Sequence, residues 1–431
     1  MKVMWVCNQP NNIAINHTNK KSTIYGGWLS GLSQELSKCN DSVQLVYCYP
    51  RLGKKEQDDF IIDNVHYYSF YACKKLGIIN VNANKDNTIT RRDIKKIIDI
   101  EKPDILHIFG TEYTHALISA QEFEHKDRIV CSIQGLVSVI SNHFLNYIPK
   151  HLFHKVNFSS IFRKTLWSQK KDLERRGVKE VETLNICNNV IGRTEWDKAC
   201  TYYINPKRLY YHCNETLRNS FYNFKWKYDE CHRYTIFFSQ GSSPLKGLNI
   251  MVEALALLKK EFPNVSLRIA GNNFVSKNSL NDKIKISTYG DYILSLINKH
   301  RLSDKVLFLG NLSEDEMIKE YLKCNVFVSA SSIENSSNSV CEAMLLGVPV
   351  VSSDVGGISS LVTDNIEALL YPGYDSYMLA WRIKEIFNNK NKAIKLGNNA
   401  RSRAKVTHDK KINNQQLINI YNHILGDKEY S

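Results

Sequence analysis

Residues 329–357 read Ser329-Ala-Ser-Ser-Ile-Glu334-Asn-Ser-Ser-Asn338-Ser339-Val-Cys-Glu342-Ala-Met-Leu-Leu-Gly347-Val-Pro349-Val-Val-Ser-Ser-Asp354-Val-Gly356-Gly357. The apolar run 326–329 before it is a strand signal, and the Ser/Asn-rich residues after it are a loop. Apolar residues at helical spacing then continue from Asn338 to Gly347. Gly347 with Pro349 just beyond is helix-end chemistry, and 348–352 supplies the next strand. Strand, loop, helix and parallel strand make one α/β unit.

Working outward from this unit, the pattern repeats. Strand 234–238 leads to a loop with Pro244 and Gly247, a helix over 248–262, and a strand over 265–270 that ends at Gly271. A helix over 292–300, a strand over 306–309 and a helix over 314–323 follow, with Ser313 and Glu316 spaced as a capping box. The N-terminal half alternates less cleanly. Strands are predicted over 2–7, 43–47, 105–109 and 129–133, with helical stretches near 28–36 and 92–100. The whole reads as two α/β domains with mainly parallel sheets. The first spans 1–215, a linker 216–233, and the second 234–408. A helix over 409–431 has no strand after it and is expected near the domain junction.

Composition narrows the class. With 43% apolar and 23% charged residues, the chain has ordinary globular usage, so disorder and a multi-span membrane protein are excluded. Eleven cysteines without a C-x-x-C pair or zinc spacing read as reduced thiols, and no leader or membrane-length apolar run is seen. A cytoplasmic protein is expected. The net charge of +14 points to anionic company: nucleic acid, anionic lipid or phosphorylated small molecules. Residues 150–227 hold 16 basic and 7 acidic residues, so part of the excess is local. Within 150–176, Phe153, Phe158, Phe162 and Trp167 alternate with Arg163-Lys164, Lys170-Lys171 and Arg175-Arg176. That pattern fits either an anionic membrane surface or a solvated helix face over core aromatics.

The chemistry sits in a few loops. Glu334 precedes the helix that starts at Asn338, and Glu342 lies in its second turn. Both can look to the carboxyl edge of the sheet, where ligands bind in open α/β folds. The N–H groups of Asn338-Ser339-Val340 suit an anion, and a carboxylate beside them can accept both hydroxyls of a ribose diol. Residues 239–248, Ser239-Gln240-Gly241-Ser-Ser-Pro244-Leu245-Lys246-Gly247-Leu248, place a lysine between the first strand and helix of the second domain. Tyr25-Gly26-Gly27-Trp28 opens the first helix, where glycines let backbone approach a phosphate.

These motifs resemble the retaining nucleotide-sugar glycosyltransferases of the GT-B fold, family 4, with their E-x7-E motif. The likeness is good over 234–370 and looser before it, and 334–339 looks like the branch that builds bacterial surface polysaccharides. It implies two facing Rossmann-like domains, with the C-terminal helix crossing back to the first. It further implies that Glu342 binds the donor ribose and that Glu334 lies against the donor sugar and diphosphate. Asn338 and Ser339 would offer N–H groups, Gly26, Gly27 and Gly271 would line the donor site, and Lys246 would neutralise the departing diphosphate. The family's usual Arg is replaced by Gln240, and its usual His after strand 129–133 by Gln134, whose amide can bond a sugar hydroxyl or a phosphate. His107 is expected to be structural or to contact the acceptor. Arg193 either replaces the missing cation or pairs with Glu195 or Asp197.

The expected reaction moves a sugar from a UDP- or GDP-linked donor to a glycan hydroxyl, on a lipid diphosphate carrier at the inner leaflet. The resemblance implies that it needs no metal and no cofactor, and no Asp-x-Asp, the metal-binding signature of the other major glycosyltransferase fold, occurs. The absence of a P-loop and of a G-x-G-x-x-G after the first strand disfavours an ATPase and a dinucleotide oxidoreductase. Two other readings are a basic nucleic-acid-binding protein, which lacks any recognisable module, and a catalytically impaired partner subunit, suggested by Gln240 and Gln134.

Overall fold

The computed structural model describes residues 1–18, 27–38, 42–52, 56–72, 74–75, 78–79, 87–156, 164–275 and 286–426. The chain divides into two compact units. Unit 1 holds Met1–Val139, Leu173–Arg218 and His408–Ser431, and unit 2 holds Ile140–Asp172 and Asn219–Thr407. The segment Ile140–Asp172, read above as part of the first domain, therefore groups with unit 2. Its carbonyls anchor it there: Asn249 Nδ2 donates to Tyr147 O at 2.8 Å, and Ser332 Oγ donates to His143 O at 3.2 Å.

The strands are, in chain order, β1 (Lys2–Val6), β2 (Gln44–Leu52), β3 (Asp59–Ile62), β4 (Val65–Ala72), β5 (Lys74–Lys75), β6 (Ile78–Ile79), β7 (Ile105–Phe109) and β8 (Ile129–Ser132). They continue as β9 (Asn189–Gly192), β10 (Leu209–His212), β11 (Thr235–Phe238), β12 (Ser266–Ala270), β13 (Val306–Gly310), β14 (Val326–Ser329), β15 (Val350–Ser353) and β16 (Leu369–Tyr371). Unit 1 carries an eight-stranded sheet in the order β10-β9-β8-β7-β1-β2-β4-β3. Only β3 runs antiparallel, against β4. The strands β1, β7 and β8 are buried along their whole or nearly whole length, which is why they read as continuous apolar runs. The helix Lys410–Ile424 belongs to unit 1, where Trp5 Nε1 donates to Tyr421 Oη at 3.0 Å.

Unit 2 carries an all-parallel six-stranded sheet in the order β13-β12-β11-β14-β15-β16. Counted from β11, this is the 3-2-1-4-5-6 order of dinucleotide-binding folds. The order reverses between β11 and β14, so the loops that leave these two strands splay apart and open a crevice at their carboxyl ends. The helices over them have ordinary causes. Ser313 and Glu316 form the expected capping box on Glu314–Lys323, and Gly347 at φ 78° closes Asn338–Leu346. The helix Leu248–Leu258 stops four residues earlier than its apolar pattern suggested. Beyond Leu258 the turn is carried by bonds such as Glu261 N to Leu258 O.

Candidate functional site

The crevice at the β11/β14 switch point gathers most of the second-domain residues singled out in the sequence. After β11, Pro244–Lys246 forms one 3-10 turn and Gly247 follows at φ 67°. A Cβ at Gly247 would stand 1.9 Å from the carbonyl oxygen of Ala330, so only glycine lets the β11 loop lie against the β14 loop. Ser332 N completes the seam by donating to Leu245 O at 2.8 Å. That backbone contact sets Lys246 against Glu334: Nζ to Oε1 is 2.5 Å, with the side chains 30% and 13% exposed. Ser331 Oγ donates to the same carboxylate oxygen at 2.7 Å.

Glu334 is fixed from the other side by Gly356-Gly357. Gly356 sits at φ 56°, a Cβ there would approach Glu334 O to 2.0 Å, and Gly357 N donates to that oxygen at 2.9 Å. Ser353 Oγ donates to Ser331 O at 2.7 Å. Loops leaving β11, β14 and β15 thus converge on one carboxylate and one ammonium, 88 positions apart in the chain.

Phe238, Ser239, Gln240, Lys246, Ser331, Glu334 and Ser339 line a common pocket. Gln240 occupies the position expected of an arginine. Gly271, at φ 98° just past β12, places its would-be Cβ 3.9 Å from Gln240 Cγ. Asn338 and Ser339 open the helix Asn338–Leu346, whose N-cap Ser337 makes no side-chain capping bond. The Ser337 hydroxyl instead lies 3.2 Å from Ser339 Oγ. Glu342 follows Ser339 by three residues on the same helix face and is 7% exposed. A cation, a carboxylate and a helix N-terminus at a parallel-sheet switch point can hold an anion and a polyol together.

The residues expected in the first domain fare differently. Gly27 begins the helix Gly27–Ser37, while Gly26 lies outside the described residues. Phe158, Phe162 and Arg163 lie outside them as well. Gln134 follows β8, and its Nε2 donates to Glu215 Oε1 at 2.9 Å.

Two residues named with Gln134 as sugar or acceptor contacts are buried in unit 1. His107 is wholly buried in the middle of β7, its ring 4.0 Å from that of Phe109. Its Nδ1 lies 2.6 Å from Tyr421 Oη and its Nε2 2.7 Å from Ser132 Oγ. Because Trp5 already donates to Tyr421 Oη, the tyrosine hydroxyl donates to Nδ1 and the histidine proton resides on Nε2. Burial pushes its pKa down to about 3, so the ring is neutral and belongs to the core. Arg193 is buried too, with Nη1 2.6 Å from Glu215 Oε2 and Nη2 donating to Ile133 O at 3.1 Å. Neither expected partner takes its guanidinium. Asp197 accepts from the Arg193 backbone N–H at 2.9 Å.

The sequence reading missed Ser331, which shares the Glu334 carboxylate with Lys246, and Glu215, the common partner of Gln134 and Arg193. A serine in a Ser-rich loop carries no distinguishing spacing. Glu215 declares itself only when β8, β9 and β10 lie side by side. In the basic stretch, Trp167 stacks near Phe153, and Lys170 and Lys171 place their ammonium groups 5.6 and 5.2 Å from the Trp167 ring. Among the described residues, no helix is long and apolar enough to cross a membrane.

Among solved structures, the fold resembles a sucrose-phosphate synthase from Thermosynechococcus elongatus (TM-score 0.72, 16% identity, 99% of this chain and 100% of that one). It also resembles the Anabaena protein Alr3699/HepE, solved with UDP-glucose (TM-score 0.65, 16% identity, 98% and 100%). These likenesses, with the two mainly parallel α/β units, establish the GT-B architecture. Among curated proteins, the chain is 30% identical over 132 residues to a D-inositol 3-phosphate glycosyltransferase of Mycolicibacterium vanbaalenii, covering 31% of this chain and 28% of that protein. It is 24% identical over 184 residues to the capsular polysaccharide biosynthesis glycosyltransferase CapM of Staphylococcus aureus, covering 43% and 44%. The chain thus spans less than half the length of each of these two relatives. Residues 223–403, which hold the whole β11/β14 crevice, match the family model of the glycosyl transferases group 1.

Proposed function

We propose that this chain is a retaining glycosyltransferase of family 4 that moves a sugar from a UDP- or GDP-linked donor to a glycan hydroxyl, in capsule, O-antigen or exopolysaccharide assembly. The observation that carries the reading is the Lys246–Glu334 contact at the switch point of the unit 2 sheet, inside the segment that matches the group 1 model. The solved HepE complex with UDP-glucose and the capsular role in CapM's name support the donor class and the biosynthetic setting.

In this reading unit 2 binds the donor and unit 1 the acceptor. Glu342 accepts the ribose hydroxyls, and the first-turn N–H groups of Asn338 and Ser339 bond the diphosphate. Gly271 and Gln240 lie along the donor, and Gly26 and Gly27 offer backbone to the diphosphate. Glu334 faces the transferred sugar. Lys246 stabilises the negative charge that builds on the leaving diphosphate in the transition state, where a positioned cation counts most. The acceptor oxygen forms its new bond to the anomeric carbon on the face from which the diphosphate departs, so configuration is kept. Its proton passes to a donor phosphate oxygen. Gln134 bonds a sugar hydroxyl. No metal and no cofactor takes part.

The acceptor is proposed to ride on a lipid diphosphate carrier, with the basic segment 150–176 resting on an anionic leaflet. Each basic residue near such a surface contributes about 1 kcal/mol. The deciding experiment is a thermal-shift and calorimetric screen against nucleoside diphosphates and their sugars. A ligand in hundredfold excess over its Kd stabilises a fold by about 2.7 kcal/mol. Binding of UDP or GDP that Glu342→Ala weakens at least tenfold is the expected result, and no binding of either nucleotide refutes the reading.

A further inference from the structure

Unit 1 contains a buried carboxylate that the proposed reaction does not use. Glu180 lies on the helix Leu166–Ile186 and has no exposed surface. Four donors surround it. Val137 N donates to Oε2 at 3.1 Å and Thr111 Oγ1 to the same oxygen at 3.0 Å. Ser138 N and Ser138 Oγ donate to Oε1 at 2.9 and 2.6 Å. Thr111 stands two residues past β7, while Val137 and Ser138 stand past β8. One side chain therefore ties together the carboxyl-end loops of two adjacent strands.

The helix is built to bring it there. Gly177 lies one turn before Glu180, and a Cβ at that position would stand 2.6 Å from Ser138 Cα. At the other end of the same loop, Arg193 Nη2 holds the carbonyls of Ile133 and Gln134, and Glu215 holds the Gln134 amide. Residues 133–138 are thus suspended between two buried carboxylates, with Gln134 in the span.

We propose that Glu180 is the positioning residue for the Gln134 loop: as a carboxylate it accepts the Val137 and Ser138 N–H groups and so fixes where the Gln134 amide meets the sugar. The inference rests on the sugar-contacting role proposed above for Gln134. Each carboxyl oxygen faces one backbone N–H, Val137 N on Oε2 and Ser138 N on Oε1, which can only donate and so favour the ionised form. Protonation turns one oxygen into a donor and weakens its hold on that N–H, whereas the two hydroxyls can reverse direction. Burial raises the Glu180 pKa to about 7, Glu112 adds to the rise, and the bonds from Ser138 and Val137 oppose it. The other charged or titratable groups nearby are Arg176, paired with Glu112 at 2.8 Å, Lys179, which donates to Thr114, and Cys200. The loop is therefore held at neutral and higher pH and released as pH falls below about 7.

The test uses the full chain, with UDP-glucose and GDP-mannose as donor probes and release of free sugar as the readout. In Glu180→Gln, sugar release is expected to slow at least tenfold, while UDP and GDP bind as in the wild type. The loss of rate that the wild type shows below about pH 7 should disappear. Amide exchange at Val137 and Ser138 should quicken at least tenfold, with β7 and β8 still protected, and Glu180→Asp should recover part of the rate. Ser138→Ala keeps the carboxylate but removes a bond that favours its charged form, so the acid limb should move to higher pH. If Glu180→Gln does not fold, the Ser138→Ala profile decides alone. An unchanged rate and pH profile in Glu180→Gln, or an unmoved limb in Ser138→Ala, overturns the inference. A wild-type chain that binds neither nucleotide and releases no sugar overturns the proposed function itself, a result seen before any variant is made.

Discussion

Replacing Lys246 with alanine isolates the contact on which the proposed chemistry turns. Its Nζ lies 2.5 Å from Glu334 Oε1, and the ammonium is 30% exposed, so water screens it in part. A hydrogen bond to a charged group contributes about 1.5–3 kcal/mol. If Lys246 bonds the leaving diphosphate more strongly in the transition state than in the bound donor, that range slows turnover by roughly 10- to 150-fold, at 1.36 kcal/mol per decade. The ground state changes in the opposite sense. Without Lys246, Glu334 keeps Ser331 as a donor but loses its counter-charge beside the diphosphate, and like charges repel there. Glu334→Gln in the same background should therefore recover part of the lost donor binding. The assay is a double-mutant cycle on turnover and on nucleotide affinity. Coupling above about 0.5 kcal/mol is expected for groups in direct contact. A wild-type turnover in Lys246→Ala, or strictly additive single effects, refutes the assignment.

Glu342→Ala should abolish nearly all transfer and weaken nucleotide binding, and calorimetry with UDP and GDP checks this directly. Gly356→Ala puts a Cβ 2.0 Å from Glu334 O at a φ of 56°. About 1–2 kcal/mol of backbone strain is expected from the left-handed conformation alone, with Glu334 displaced and activity lost; a variant with wild-type Tm and rate disproves the pinning role. Vesicle sedimentation should show binding to anionic but not to neutral lipid, reduced when Lys170 and Lys171 are both changed to glutamate. Equal, negligible binding to both vesicles rejects membrane attachment. Unit 1 should lose stability on mild acidification, because burial pushes His107 and His115 down to about 3 and His408 to about 4. The unfolded chain binds these protons below about pH 6.5 while the folded chain does not, so stability falls as pH drops from 6.5 towards 4. Glu180 acts in the opposite direction between about 7 and 4.5, but one group is set against three; a urea midpoint that does not fall between pH 6.5 and 4.5 contradicts the balance.

How far the sequence could be read depends on where each residue's partner lies along the chain. Unit 2 was legible because each of its βα repeats encodes its own boundaries locally. Ser313 with Glu316 starts a helix, Gly347 with Pro349 ends one, and β14 and β15 are short apolar runs. Glu334 and Lys246 were singled out because the motifs around them resemble a known family and because ligands bind at the carboxyl ends of parallel strands; a charged loop residue alone is more often simply solvated. In unit 1, β3, β4, β9 and β10 were not foreseen. The strand β4 reads Val65-His-Tyr-Tyr-Ser-Phe-Tyr-Ala72, with no polar alternation because both of its faces are covered, and β9 and β10 are four residues each. The sequence left His107 between a structural role and an acceptor contact, and its burial in β7 fits the structural one. Its partners Tyr421 and Ser132 lie 314 and 25 residues away, beyond the reach of any local pattern.

The replacement of the usual arginine by Gln240 acquires a consequence once Arg193 is located. Arg193 was the candidate substitute, yet its guanidinium is committed inside unit 1 to Glu215 and to two backbone carbonyls. Removing it from there would leave Glu215, 8% exposed, as an uncompensated buried charge, a cost of about 3–5 kcal/mol. That cost exceeds the roughly 1.5–3 kcal/mol of one new charge-assisted bond to a phosphate. Arg193 therefore stays where it is, and Lys246 is the one cation among the described residues that line the pocket. Among the described residues that line the pocket, one cation faces one carboxylate. In the proposed reaction the donor diphosphate draws Lys246 away from Glu334, so donor binding and the release of that carboxylate become one event. Gln240→Arg would uncouple them, tightening nucleotide binding by the value of one added charge-assisted bond, about tenfold or more, while reducing the penalty of Lys246→Ala. If Gln240→Arg leaves nucleotide affinity unchanged, the diphosphate does not lie along this side of the pocket, and the Lys246 assignment falls with it.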